Sequence, residues 1–241
     1  MNDISERFVR LISFKKIQKG VIMMMRLSTK RFCMFVIGIL ILTLGIALTI
    51  LSEMGTSPFD ALLVGLFHTI GLTVGSWEII IGLIMIFSNA LIQKQRPEYL
   101  ALLTAFITGA GIDFWLFILD QWVQPISYVS QIAVLLLGMV IMGIGTATYL
   151  KSDFAPIPLD RMMLILRQMT GMTITVSRTM INVALVLLAL LFQGPVGIGT
   201  LLIVAFSGVL VHLFMNVLER LEQSKQLNAV QDTVQRESVS G

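Results

Sequence analysis

Six long apolar stretches, set apart by short polar breaks, run along this chain. They cover about residues 32–51, 75–93, 99–119, 130–150, 174–193 and 198–218. Crossing a hydrocarbon core takes roughly 20 helical residues. The pattern therefore predicts an all-α polytopic membrane protein with six transmembrane helices. Lys94, Arg96 and Pro97 break the second stretch from the third. Asp120 to Ser130, with Trp122, Pro125 and Tyr128, separates the third from the fourth, and Gln193-Gly194-Pro195 separates the fifth from the sixth. From Glu219 the chain is polar and lacks a core-forming pattern, which predicts a short helix extension followed by disorder.

The pattern also repeats at a spacing of 100 residues without a gap. Ser52, Glu53, Pro58, Asp60, Gly71 and Thr73 are answered by Ser152, Asp153, Pro158, Asp160, Gly171 and Thr173. Gly38, Gly45 and Ala47 are answered by Gly138, Gly145 and Ala147. Apolar matches mean little in such a chain, but it holds only 6 Pro, so matched Pro, Asp and Gly carry weight. A repeat in a very apolar chain points to two halves built around one site, as in many transporters.

Composition agrees with a lipid solvent: 56% of residues are hydrophobic and 13% charged, against about 25% charged in soluble domains. The lone Cys33 cannot form an intramolecular disulfide and implies no redox compartment. Charge is distributed unevenly. Arg7, Arg10, Lys15, Lys16, Lys19, Arg26, Lys30 and Arg31 face only Asp3 and Glu6 in residues 1–31, while the rest of the chain is acidic on balance. That tail reads as a topology signal or as a headgroup-binding segment. Nothing aromatic or glycine-rich in it supports nucleic-acid binding, and no small-residue cleavage site follows a short apolar core. Met23, Met24 and Met25 are alternative start positions.

Orientation follows from the loops. The tail through Arg31, the loop with Lys94 and Arg96, the connection with Lys151, Arg161 and Arg167, and the end with Arg220 and Lys225 are basic. The connections at 52–74, 120–130 and 193–197 have no Lys or Arg. The positive-inside rule then places both termini in the cytoplasm of a multi-pass cell-membrane protein. Three spans per repeat is an odd number, so the second copy enters upside down, as two inverted three-helix repeats. The expected divisions are 1–31, a basic cytoplasmic tail; 32–125, repeat one; 126–220, repeat two; and 221–241, a polar cytoplasmic tail.

Each repeat carries a Pro-x-Asp segment between its first two spans, the first outside and the second inside. Pro at a first helical turn wastes no amide, a carboxylate two residues on favours the helix dipole, and Gly suits a left-handed stop. Each segment therefore reads as a half-helix of about 13 residues, about 20 Å long and too short to span. Thr56, Ser57, Ser152 and Asp153 are available as caps. Residues 58–71 are nearly all apolar apart from His68, which suits a re-entrant helix. Residues 158–171 carry Arg161 and Arg167, which suits an interfacial helix, with Asp160 or Asp153 as alternative partners for Arg161. Asp60 and Asp160, with Pro58 and Pro158, either cap these helices or line a polar path.

Further candidates for a substrate or ion path lie in or beside the spans. Asp113 in span three corresponds, after a one-residue slip, to His212 in span six. Ionisable groups at membrane depth are costly and hence functional candidates, although Asp113 near the outer surface could be hydrated and His212 could donate within the bundle. Glu78 and Arg178 are equivalent positions of opposite sign, each expected near a span end. Trp115, Trp122 and Tyr128 fit an outer aromatic belt. The 15 Met read as lipid-facing and core filler rather than a metal path.

With Gly-Thr-Ser-Pro-Phe-Asp at 55–60 and Gly-Leu-Thr-Val-Gly at 71–75, the chain resembles the YczE/YitT-type family of bacterial membrane proteins. The resemblance spans roughly residues 30–218, and the second copy departs from the motif at Leu159 and Thr175. It implies a membrane fold and location, not a reaction. A secondary transporter of a small molecule or ion is the leading expectation, with a site at the interface of the repeats. A non-transporting membrane scaffold or assembly partner is the alternative. An enzyme is not expected: Ile112 breaks a GxGD pattern, Ser207 and His212 lack a hydrolase loop, and there is no P-loop, HExxH or Cys/His metal cluster. No catalytic residue, metal or cofactor is expected. The expected partners are the lipid bilayer and a substrate, with no nucleic acid, and a homo-oligomer is compatible with the pattern.

Overall fold

The computed structural model describes residues 29–154 and 157–240, with side chains described as far as Leu221. Most of the basic tail, its alternative starts and Pro156 lie outside the described residues. Those described form eight helices and no strand: α1 (Thr29–Leu51), α2 (Pro58–Ile70), α3 (Val74–Gln93), α4 (Tyr99–Leu119), α5 (Tyr128–Ser152), α6 (Pro158–Thr170), α7 (Ile174–Leu191) and α8 (Ile198–Ser240). Six of them, all but the short α2 and α6, are long and apolar enough to cross a membrane. The chain is an integral membrane protein.

Local chemistry sets the helix ends. Ser57 caps α2, its Oγ accepting from the Asp60 N–H at 3.2 Å. Thr73 and Thr173 cap α3 and α7 by accepting from the amides of Ser76 and Val176. Glu53 and Asp153, the residues that close the turns after α1 and α5, both take positive φ, 58° and 47°. Gly171 ends α6 in the left-handed region, φ 70° and ψ 5°. Gly71 departs from the expected left-handed stop: at φ 98° and ψ −156° it sits in a region that only glycine enters readily.

The C-terminal expectation needs correction. α8 continues to Ser240 rather than giving way to disorder. Residues 219–240 contain no Gly or Pro and are rich in Gln and Glu. Once the apolar part of α8 has nucleated, each such residue adds a hydrogen bond at little propensity cost.

α1 is the most buried of the six long helices and α8 the least. Phe35, Ile39 and Leu42 of α1 form a core cluster with Leu63, Ile112 and Tyr149. Lipid tails give no hydrophobic drive between helices, so small residues that let backbones approach decide the packing. Gly38 lies against Tyr149, Gly45 against Met142, Gly145 against Leu42 and Gly138 against Thr49. Positions rise along α1 as they fall along α5, so the two helices cross antiparallel. α2 packs on α7 and α6 on α3. The turn before α2 meets the α7–α8 loop, where Thr56 N–H donates to Pro195 O at 3.3 Å and Gly199 N–H to Met54 O at 2.8 Å. At the start of α6, Arg161 pairs with Glu98 of the α3–α4 loop at 2.7 Å. Neither Asp160 nor Asp153 is therefore its ion-pair partner, because the α3–α4 loop brings an acidic side chain to the exposed side of α6.

Candidate functional site

The first turns of α2 and α6 border one space. Between them lies a cavity of about 190 Å³ to which all eight helices contribute. Its apolar wall includes Leu42, Ile46, Phe59, Met139, Met142 and Ile203. Its ionisable groups are Asp60, Glu78, Asp160, Arg178 and Tyr149, with Ser57, Thr108, Thr146, Asn182 and Ser207 supplying neutral polar atoms.

The carboxylates do not act as backbone caps. Asp60 is 4% exposed, and its Oδ2 accepts from the Ser57 hydroxyl at 2.5 Å. The same hydroxyl oxygen takes the first-turn amide, so the cap is Ser57 and the carboxylate is left to the cavity. α6 has no side-chain cap, and Asp160 Oδ2 accepts instead from Tyr149 OH of α5 at 2.5 Å. Ser152 donates to Tyr149 O at 2.6 Å and so fixes the end of α5 rather than the start of α6. Glu78, on the first turn and a half of α3, is 3% exposed. Among the described residues no hydrogen bond or ion pair reaches its carboxylate. Arg178, exposed on α7, donates to Ser207 Oγ of α8 at 3.2 Å and forms part of the cavity rim.

Of the residues singled out in the sequence, Pro58, Asp60 and Asp160 line this cavity. Pro158 is buried beside it and packs on α3, its carbonyl accepting from Asn89 Nδ2 at 3.3 Å. The other three lie elsewhere. His68 is exposed on the last turn of α2, its ring 5.0 Å from that of Phe67, because the buried part of α2 ends at Leu66. His212 is exposed on α8 and has no hydrogen bond among the described residues. Its neighbour Val211 faces the cavity, and one residue turns a helix by about 100°. Asp113 joins α4 to the start of α3, accepting from Thr73 Oγ1 at 2.5 Å and from the Gly75 N–H at 2.7 Å. Asp113→Ala is expected to cost about 1 kcal/mol, the usual cost of a lost cap. It should lower the thermal midpoint, which unfolding in detergent checks.

Glu78 and Arg178 enter the site although the sequence did not select them for it. The signal was present, since they share the 100-residue spacing. Tyr149 had no such signal, because its partner position holds Thr49. No group of three or more His, Cys, Asp or Glu side chains among the described residues is placed to hold a metal ion.

The chain matches, over residues 29–216, a family model described as "Family of unknown function (DUF6198)". It is 49% identical over 195 residues to the "Uncharacterized protein YyaS" of Bacillus subtilis (strain 168), covering 81% of this chain and 97% of that one. To the "Uncharacterized membrane protein YczE" of the same strain it is 33% identical over 182 residues, 75% of this chain and 83% of that one. An "Uncharacterized protein" of Haemophilus influenzae is 28% identical over 194 residues, 80% and 86% of the two chains. No solved structure matches significantly.

Proposed function

The chain belongs to the family of unknown function DUF6198, and within it we propose that this protein is a secondary transporter of the cell membrane. Its site is the cavity between two inverted halves, residues 32–125 and 126–220. The observation that carries this reading is the convergence of Asp60 with Asp160, and of Glu78 with Arg178, on one cavity. Pairs 100 residues apart in the chain meet at a single place, as they do when two halves are related by an axis through a site.

The helix contacts support the same relation. Adding 100 to one partner and subtracting it from the other turns Gly38–Tyr149 into Gly138–Thr49, and Gly45–Met142 into Gly145–Leu42; all four are present. The same exchange turns α2 on α7 into α6 on α3. Antiparallel α1 and α5 fit an inverted second half. In this reading α2 enters from the outside and α6 from the cytoplasmic side, which the basic loops mark, and both termini are cytoplasmic.

The two entrances differ. α2 buries Pro58 and every residue from Asp60 to Leu66, whereas α6 buries only Pro158 and Ile165. Gly65 and Gly194 let α2 lie directly on the α7–α8 loop. The conformation is thus sealed at the outer side and loose at the cytoplasmic side, as one end state of alternating access. A scaffold has no need of a cavity with buried carboxylates, which favours transport over the scaffold reading. Asp113, the residue an intramembrane hydrolase would use, is engaged at the start of α3. The test is flux into proteoliposomes, read as pH or current changes across a panel of small organic ions. Wild type is expected to move at least one of them, and Asp60→Asn and Asp160→Asn each to cut that flux at least tenfold. Equal flux in all three proteins would remove the carboxylates from the mechanism.

A further inference from the structure

The charges in the cavity are unequal at its two ends. On the α6 side, Asp160 is engaged by the Tyr149 hydroxyl and lies within the field of Arg178. That end thus has a hydroxyl donor and a nearby cation of the protein's own. On the α2 side, Asp60 and Glu78 act on one another, and Arg178 is the only Lys or Arg among the described residues of the cavity wall. Ser57 supplies Asp60 with one hydroxyl, and nothing among the described residues supplies Glu78. A carboxylate that is 3% exposed, faces an open space and has no protein partner carries a desolvation cost that a bound group can repay.

The surroundings narrow what that group is. Hard metal ions take six or more oxygen ligands or retain several waters. Two carboxylates beside Leu42, Ile46, Phe59 and Met139 do not build such a shell, and no three-ligand group exists among the described residues. Apolar walls with one anionic end instead suit a molecule that is cationic at one end and hydrocarbon at the other. At about 190 Å³ the space is below the roughly 300–1,000 Å³ of drug-sized sites, which sets a compact body.

We infer that the cavity takes a small organic cation, a protonated amine on a compact apolar body, with its ammonium group held by Asp60 and Glu78. This rests on the reading of the cavity as a substrate site. Arg178 at the rim disfavours a second positive charge, so monoamines are preferred over diamines.

Thermal unfolding of the purified full chain in detergent, titrated with n-butylammonium chloride, tests the inference. Sodium butyrate and matched sodium chloride serve as controls. A saturable rise of the midpoint with n-butylammonium alone is expected, together with at least a tenfold weaker apparent Kd in Glu78→Gln and in Asp60→Asn. A response in wild type no greater than that to sodium chloride, a larger response to butyrate, or full retention in Glu78→Gln would overturn it. Should Glu78→Gln fail to fold, Glu78→Asp keeps the charge at a shorter reach, and an unchanged Kd there and in Asp60→Asn counts equally against the inference. Amine binding without flux in proteoliposomes would sink transport and leave the cation site standing; anion flux without amine binding would do the reverse.

Discussion

Gly145→Leu is expected to abolish the folded, monodisperse protein, and Gly45→Leu to do the same from the other side of the contact. A Cβ at position 145 points at the backbone of α1, meeting the Leu42 nitrogen and Cα and lying 2.8 Å from the Ile41 carbonyl carbon. At position 45 it meets the Met142 nitrogen, with the Met142 Cα at 2.7 Å and the Gly138 oxygen at 2.8 Å. These are backbone atoms of packed helices, not the movable ends of side chains. Room for even one carbon therefore requires α1 and α5 to separate, and Leu brings three more. Overpacking a core costs about 1–3 kcal/mol, and a change that parts two helices belongs at or above the top of that range. The separation would also open the cluster of Phe35, Ile39, Leu42 and Tyr149 at the centre of the bundle.

Size-exclusion elution and the thermal midpoint in detergent read this out. Gly208→Ala is the matched control. A Cβ there meets only Arg178 Nη1 at 3.8 Å, and Ala in a helix interior gains about 1 kcal/mol over Gly. A Gly145→Leu protein that elutes and melts like wild type would mean that the two backbones do not touch.

The sequence made the helices legible because crossing lipid demands long apolar runs. The breaks at Lys94–Pro97 and Gln193–Gly197 end α3 and α7 within two or three residues of the structure. It also marked Pro58 and Pro158 as helix starts, since proline at a first turn is a local signal. The assembly of those helices was less visible. His212 looked equivalent to Asp113 by spacing, but Asp113 itself joins α4 to the start of α3, and His212 stands one position, about 100° on a helix, past the cavity-facing Val211. Asp60 and Asp160 could be read as caps because a carboxylate in a first turn usually serves there; only the positions of Ser57 and Tyr149 show that other partners take them. Arg161 found Glu98, a partner 63 positions away that no local pattern announces. Glu78 and Arg178 were visible as a matched pair, yet a charge near a span end also fits a headgroup anchor, and only the packing distinguishes the two.

An alternating-access protein must expose the same cavity atom to both faces of the membrane, though not at once. Thr146 is a suitable reporter. It lines the cavity from α5, is half-buried, and its hydroxyl bonds only to the Met142 carbonyl of its own helix at 2.7 Å. Replacing it by Cys therefore disturbs little. The native thiol, Cys33, is exposed and has to be removed first as Cys33→Ser. In the conformation described, the α6 side is the loose one, so in the proposed orientation a membrane-impermeant thiol reagent should reach position 146 readily from the cytoplasmic face. On the opposite side, the outer face in the proposed orientation, α2 lies against the α7–α8 loop, and reagent should enter there only when that contact opens.

The deciding measurement is the labelling of Thr146→Cys, in the Cys33→Ser background, by an impermeant reagent applied to each face of sealed proteoliposomes in turn. Labelling from both faces, faster from the cytoplasmic one, is the predicted result. Labelling confined to one face in a protein that stays monodisperse would contradict a transporter built from two inverted halves.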